Sequence, residues 1–255
     1  MTVVSAGENS QDSSHAPSGS TPGSVRFFVV RHGETLFNVM GKVQGWCDTP
    51  LTEKGIAEAE ALGRGLSGTE FVAAFSSDSG RAIQTLDRIM MARQADSRNL
   101  AFGENGEGPL PRVADQRLRE WCYGEFEGEP GERLHDALDA GFGEALSFEE
   151  HNRRLPEVAD AIADADRSGR AERFDSIERR LRGFFVEAGE GALENGGGSV
   201  LVVTHSFVIR TLIYLLDRDR VNEPVKIPNA SVTDIVYDGI SFVPGDIGST
   251  AFIGR

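Results

Sequence analysis

Val25-Arg26-Phe27-Phe28-Val29-Val30 runs straight into Arg31-His32-Gly33-Glu34-Thr35, and this stretch decides the fold. Its strand-like part is valine and phenylalanine except for Arg26, with no polar alternation. Such a run suits a strand covered on both faces, as in a parallel sheet with helices above and below. Val200-Leu201-Val202-Val203-Thr204 repeats the pattern and ends in His205-Ser206. Phe71-Val72-Ala73-Ala74-Phe75 is a third such run, followed by Ser76-Ser77-Asp78-Ser79 and then Arg81.

Helical patterns fill the intervals. Thr52 is placed to cap a helix from Glu53 to about Leu66, with Ile56, Ala59, Leu62, Gly63 and Leu66 on its buried face. Ala82, Ile83, Leu86, Ile89 and Met90 repeat at helical spacing up to about Arg93, and Ile177, Leu181, Phe184, Phe185 and Ala188 do so later. A further helix is expected from Ser206 to about Leu216, then strands over Ser231–Tyr237 and Ile240–Val243. Asn99 to Pro111 reads as a loop. Glu190 to Ser199 is Gly-rich, but it lacks the Lys-Ser/Thr ending of a P-loop and precedes a strand, so it reads as a turn. From roughly Glu125 to Arg173 the chain is charged and weakly helical, with no convincing strand. The expectation is an α/β fold: three layers, α/β/α, with a mostly parallel central sheet and a helical cap insertion over about 125–173. The domain would run from 25 to 255. Residues 1–24, rich in Ser, Gly and Pro, read as a disordered tail.

Composition narrows the function. Twenty-six Lys and Arg stand against 40 Asp and Glu, a formal charge of −14. That balance argues against sequence-independent nucleic-acid binding and against docking to anionic membranes. A few arginines gathered in one pocket still reverse the local field for a small anion. Cys47 and Cys122 are far apart in sequence and read as two reduced thiols. No apolar run approaches the ~18 residues of a membrane helix, and the first 24 residues lack the features of a secretory signal. A cytoplasmic location is expected.

The three buried runs end in chemistry-bearing residues: Arg31 and His32, Arg81, and His205 with Ser206. In open α/β sheets ligands bind beyond the carboxyl ends of the strands, so these residues are expected in one crevice. Two arginines offer charged forks suited to phosphate or carboxylate oxygens. Helix starts near Ser79 and Ser206 would direct backbone N–H groups at the same anion. Two histidines are also possible metal ligands, but two arginines disfavour a cation and no acidic cluster completes a metal site. Neighbouring positive charge should instead keep an imidazole neutral and nucleophilic. No metal and no cofactor is expected.

Arg31-His32-Gly33-Glu34-Thr35 with Asn38 resembles the opening motif of the histidine phosphatase superfamily, also called the phosphoglycerate mutase-like family. The resemblance continues through Gln44-Gly45-Trp46 with Asp48, Pro50-Leu51-Thr52 and Gly55, then Ser76-Ser77-Asp78, Arg81-Ala82 and Gln84-Thr85. Leu118-Arg119-Glu120, Tyr123-Gly124, Glu127-Gly128, Val203-Thr204-His205-Ser206 and Pro228-Asn229-Ala230 complete the ordered series. It implies that His32 is the nucleophile that takes the phosphoryl group, giving a phosphohistidine. Arg31, Arg81 and His205 would then clamp the phosphoryl oxygens. Glu120 would act as general acid, then as base. Asn38, Gly45 and Ser206 would complete the phosphate pocket, and Glu34 would orient the site by hydrogen bonding.

Phosphoglycerate mutases share this apparatus but place basic residues after the equivalent of Glu120. Here Trp121-Cys122 stand in those places, which resembles the phosphatase members. The implied activity is a metal-independent phosphomonoesterase acting on a small phosphorylated metabolite, with a phosphoglycerate mutase as alternative. A non-catalytic phospho-ligand-binding module is the third reading, against which all five central positions are present. Arg133, Arg153, Arg154, Arg167, Arg170 and Arg173 in the insertion either meet a second anionic group or form a solvated helical face. His135 and His151 are expected to be exposed, and Arg26 to be a strand-edge charge. Arg119 reads as a substrate contact or a surface ion pair, and Trp46 as a pocket wall or core packing.

Overall fold

Phe27 and Val29 pack into one apolar core and Phe28 and Val30 into another, all four buried. Successive strand side chains point to opposite faces, so a strand apolar throughout has to be covered twice. The computed structural model describes residues 23–96, 110 and 112–254. The tail expected over 1–24 falls outside these but for its last two residues, as does most of the 99–111 loop.

Strands β1 (Val25–Arg31), β2 (Phe71–Ser76), β3 (Arg112–Ala114), β4 (Gly198–Thr204), β5 (Val232–Tyr237) and β6 (Phe242–Pro244) form one sheet in the order β3-β2-β4-β1-β5-β6. The pairings β3–β2, β2–β4 and β4–β1 are parallel. Those of β1 with β5 and β5 with β6 are antiparallel. Helices α1 (Leu36–Val39), α2 (Glu53–Gly65) and α3 (Gly80–Asp96) belong to the first half of the chain. The insertion supplies α4 (Gly131–Phe142), α5 (Phe148–Arg153) and α6 (Leu155–Ala165), and α7 (Phe174–Glu194) and α8 (Ser206–Leu216) flank β4.

Three layers result from the two cores. Ala59 and Leu62 of α2 and Leu86 and Ile89 of α3 cover Phe28 and Val30. Ile177, Leu181 and Phe184 of α7 and Val208 and Ile209 of α8 cover Phe27 and Val29. Leu138, Leu155, Val158 and Ile162 of the insertion join that second core. Thr52 caps α2 as expected, its hydroxyl accepting from Gly55 N at 3.0 Å.

Several expectations are corrected. Arg26 lies on an interior strand, where Asp234 of β5 binds its guanidinium through two bonds of 2.7 and 2.8 Å. Ile83 faces outward on α3 although its spacing matched the buried stripe. Ile240 belongs to a turn and not to the last strand: the Asp238 carboxylate accepts from Ile240 N and Ser241 N, an Asx-type turn that delays β6 to Phe242. His151 is buried, stacked 6.2 Å from His135 and 6.0 Å from Phe142, because α5 is folded in against the other cap helices. His135 itself is half-buried. β3 is only Arg112-Val113-Ala114, all three exposed, too short a run to read as a strand, and it pairs with β2 at the sheet edge.

Candidate active site

Parallel register sets the site. Arg31 lies opposite Thr204 and Ser76 opposite Val203, so β1, β2 and β4 end together. His32 N donates to Thr204 O at 2.9 Å, and the His32 and His205 rings meet edge to face with centroids 5.2 Å apart. The partners decide the tautomers. His32 Nδ1 lies 2.8 Å from Gly33 O, a carbonyl that can only accept. Nδ1 therefore carries the proton and Nε2 keeps its lone pair. Arg81 Nη2 lies 3.0 Å from His205 Nδ1 and can only donate. His205 therefore carries its proton on Nε2, which is buried and has no partner. Burial, then the nearby guanidiniums of Arg81 and Arg31, hold the His32 pKa well below its ordinary value. Burial and Arg81 do the same for His205.

Arg81 is fully buried and gripped on four sides. Nη1 donates to Cys47 O at 2.9 Å and Asp48 Oδ1 at 2.8 Å, and Nη2 to Gly45 O at 2.7 Å as well as to His205. The loop supplying these carbonyls is itself clamped. The Glu127 carboxylate accepts from Gly45 N, Trp46 N and Cys47 N at 2.8–3.0 Å, and from Tyr123 N at 3.0 Å. Gly45 has to be glycine, because a Cβ there would collide with Trp121 O and the Glu127 carboxylate. Burial and Glu127 push the Cys47 thiol up to about 12, so it is no nucleophile. Arg31 binds Ile227 O through Nη1, and its pKa falls to about 10 through burial, Glu120 opposing and Arg81 adding to the fall. Among the described residues, the Nε atoms of Arg31 and Arg81 join His205 Nε2 as buried donors without partners. Three such donors on residues around His32 are suited to an anion that fills them.

Glu120 is buried at the start of α8. Its Oε2 accepts from Phe207 N at 3.0 Å and Ser206 Oγ at 3.4 Å, and its Oε1 from Trp121 N and Val208 N at 3.1 and 3.2 Å. Burial raises its pKa against the lowering effect of the Phe207 and Trp121 N–H groups. The site thus holds a neutral imidazole with a free lone pair, a ring of buried donors, two of them on guanidiniums, and a carboxyl group whose pKa burial raises. That combination suits transfer of a phosphoryl group to nitrogen.

Asn38 Oδ1 accepts from Thr35 N and from Asn229 Nδ2, both at 3.2 Å. Its Nδ2 is the donor left over for a ligand. Glu34 is engaged elsewhere: Thr52 Oγ1 at 2.9 Å and Lys54 Nζ at 2.8 Å hold its carboxylate at the head of α2, and lower its pKa. It therefore makes no bond to His32. Gly45 serves Arg81 through its carbonyl. Ser206 touches Glu120 through its hydroxyl.

Residues 27–245 match the histidine phosphatase superfamily, branch 1. The chain belongs to that superfamily. It is 34% identical over 189 residues to 2,3-bisphosphoglycerate-dependent phosphoglycerate mutase 2 of Gloeobacter violaceus, covering 74% of each chain. Mouse fructose-2,6-bisphosphatase TIGAR is 29% identical over 245 residues, covering 82% of this chain and 87% of TIGAR. The crystal structure of a phosphoglycerate mutase from Bacillus anthracis superposes with a TM-score of 0.82 at 34% identity, covering 91% of this chain and 96% of that one.

In this superfamily member Arg119 forms the ion pair that was one of its two readings, bonding both oxygens of Asp78 while stacking 4.8 Å from the Trp46 ring centre. Trp46 is exposed and not core, its Nε1 donating to Glu120 O at 3.0 Å. Arg133 pairs with Glu125 and Glu129, and Arg173 with Asp160 and Asp164. Arg154 stacks on Phe142. A cavity of about 320 Å³ opens beside Arg31 and Ser206, and none of the six insertion arginines lines it. A larger one, about 880 Å³, lies between α4 and α6, where Arg133, Arg154 and Arg167 share the walls with Glu157, Asp160 and Asp164, and none of Arg31, His32, Arg81, Glu120 or His205 lines it. Among the described residues no group of three His, Cys, Asp or Glu is placed to hold a metal ion, and no helix is long and apolar enough to cross a membrane.

Sequence reasoning assigned no role to Glu127, Asn229 or Thr85. Asn229 Nδ2 donates to His32 O at 3.0 Å, and Thr85 Oγ1 accepts from Gly33 N at 3.0 Å. All three sit inside motif stretches of the resemblance, and that placement was the available signal.

Proposed function

We propose that this chain is a phosphomonoester hydrolase that works through a phosphohistidine on His32 and acts on a small phosphorylated metabolite. The observation that carries the reading is the state of His32: Nδ1 is bound to Gly33 O, Nε2 is the free base, and unpartnered donors of Arg31, Arg81 and His205 surround it. In the first step His32 Nε2 attacks phosphorus, the ester P–O bond breaks, and the leaving oxygen takes the proton of Glu120. In the second, water attacks the phosphohistidine, Glu120 takes its proton, and the P–N bond breaks to release inorganic phosphate. Arg31, Arg81 and His205 Nε2–H stabilise the charge on the equatorial oxygens in both steps. Asn38 Nδ2 and the start of α8 at Ser206 complete the cradle, while Gly45 and Glu34 support it at one remove.

Hydrolysis is favoured over the mutase reaction by the two residues after Glu120. Trp121 is buried with its Nε1 on Thr211 Oγ1 at 3.1 Å, and Cys122 is buried beside it. These positions supply packing and no charge to a sugar acid. The mutase reading keeps one specific support, the names of relatives 34% identical to this chain. The insertion over about 125–173 acts as a cap, since Phe148 and Asn152 of α5 line the cavity beside Arg31. A cytosolic setting suits Cys47 and Cys122, both free thiols.

The test is phosphate release from p-nitrophenyl phosphate, sugar phosphates, phosphoglycerates and nucleotides with EDTA present. Release from one or more of them supports the hydrolase. Interconversion of phosphoglycerates without release establishes the mutase, and silence on both with intact ligand binding establishes a binding module.

A further inference from the structure

The cavity beside Arg31 has an unusual charge for this chain. Arg31, Lys42, Arg210 and Lys226 line it and no carboxylate does, although acids outnumber bases 40 to 26 overall. The whole chain has three lysines, and two of them are here. Lys54, the third, is ion-paired to Glu34 and Glu58. Lys42 and Lys226 have no carboxylate within ion-pair distance among the described residues. Each ammonium instead lies over an aromatic ring, Lys42 Nζ 5.3 Å from the Phe37 centre and Lys226 Nζ 4.1 Å from that of Phe148. Arg210 is buried behind them, its guanidinium held by the carbonyls of Val221, Pro224 and Val225, with no acid within ion-pair distance among the described residues.

The cavity also lies on the side where the alcohol part of an ester belongs. Ser206 and Phe207 line it and also bind the Glu120 carboxylate, which protonates the leaving oxygen. A phosphoryl group held by Arg31 therefore directs its alcohol portion toward the two lysines. We propose that Lys42 and Lys226 form a second anion subsite, so that the preferred substrate is a phosphomonoester whose alcohol part carries a further carboxylate or phosphate. The subsite rests on the reading of His32 as the phosphoryl acceptor. It also moves the second-anion role from the insertion arginines to two lysines on loops of the sheet domain.

Calorimetry on the full chain carrying His32→Ala, which leaves the esters intact, tests it with matched ligands. 3-Phosphoglycerate is compared with glycerol 1-phosphate, and fructose 1,6-bisphosphate with fructose 6-phosphate. The doubly anionic member of at least one pair is expected to bind about tenfold more tightly or better, and the pair that responds tells carboxylate from phosphate. Adding Lys42→Gln and Lys226→Gln should erase the difference, while Lys42→Arg with Lys226→Arg keeps it. Equal affinities in the parent, or a preference that survives the glutamine pair, would overturn the subsite. Hydrolysis of p-nitrophenyl phosphate by the unaltered chain is read separately. Release without a binding preference removes the subsite alone, and a preference without any release removes the hydrolase alone.

Discussion

Arg81 Nη2 donates to His205 Nδ1 across 3.0 Å, and this bond fixes which nitrogen of His205 carries the proton. The same guanidinium reaches Gly45 O, Cys47 O and Asp48, so one planar fork sets both the loop and the tautomer. A lysine ammonium is a compact point charge that cannot span these partners. Arg81→Lys is therefore expected to lower kcat by about 100-fold or more. Steady-state kinetics check this, and a loss confined to KM would place Arg81 in ground-state binding only.

Glu120 is assigned two proton transfers, and leaving-group chemistry separates them. p-Nitrophenolate departs without protonation, whereas an alkoxide does not. Glu120→Gln should reduce turnover of alkyl phosphates by about 100-fold or more. With p-nitrophenyl phosphate it should give a burst of one p-nitrophenolate per chain, then slow turnover, because water still lacks its base. Stopped-flow absorbance reads the burst. Equal losses on both substrates with no burst would exclude Glu120 as the acid of the first step.

Opposite shifts shape the pH profile. His32 is held well below its ordinary pKa, so it stays neutral through the neutral range and is lost as a nucleophile only at distinctly acid pH. Glu120 is raised, so its acid form persists to higher pH than in a free carboxyl group. For an alkyl phosphate, kcat/KM should fall as pH rises through the Glu120 pKa and fall again at the acid end as His32 takes a proton. The alkaline limb should vanish in Glu120→Gln. A wild-type profile rising steadily above pH 8 would contradict the assignment.

Glu127 touches no reacting group, yet it accepts four backbone N–H groups and holds the loop that holds Arg81. It is a positioning residue. Glu127→Gln replaces one acceptor oxygen by an NH₂ that faces N–H donors. The expected cost is about 1–3 kcal/mol of stability with about a tenfold or greater fall in kcat. Denaturant unfolding and kinetics at saturating substrate measure the two. Lost stability with unchanged kcat would make the clamp purely structural.

The layers and the converging strand ends were legible because Phe27 to Val30 and Val200 to Val203 are apolar on both faces, which leaves one architecture open to them. His32, Arg81 and His205 were legible because each stands at or just beyond the end of such a run. The hidden parts are those in which backbone atoms are the partners. Glu127 meets N–H groups of residues some 80 positions away, and every residue but proline has an N–H, so its place in a motif stretch marks the residue but no side-chain pattern marks its role. Glu34 misled for the reverse reason. Adjacency to Gly33 and His32 says nothing about where a carboxylate finds a partner, and Lys54 lies 20 residues on. His151 was misread because a polar, charged insertion still buries one face when its helices fold against each other.

Asp166 holds the two ends of that insertion together. Its carboxylate accepts from Glu125 N, Ser168 N, Arg170 N and Ala171 N at 2.8–2.9 Å, and from the Ser168 hydroxyl. Gly124 has φ +58°, and the Asp166 carboxyl lies where its Cβ would be, so the approach requires glycine. Burial alone would raise the Asp166 pKa, but the bonds from Ala171, Ser168 and Glu125 overcome it and hold the group well below the usual carboxylate range. A depressed native pKa gives stability that is complete above the unfolded value and lost as pH falls through the native one. Asp166→Asn should therefore cost about 1–3 kcal/mol at neutral pH, and its deficit against the parent should shrink only at strongly acid pH. Urea unfolding of both proteins at neutral pH and at pH 3 checks this. A deficit that disappeared by pH 5 would mean that an ordinary surface carboxylate was being titrated, and that the insertion is held by its apolar contacts alone.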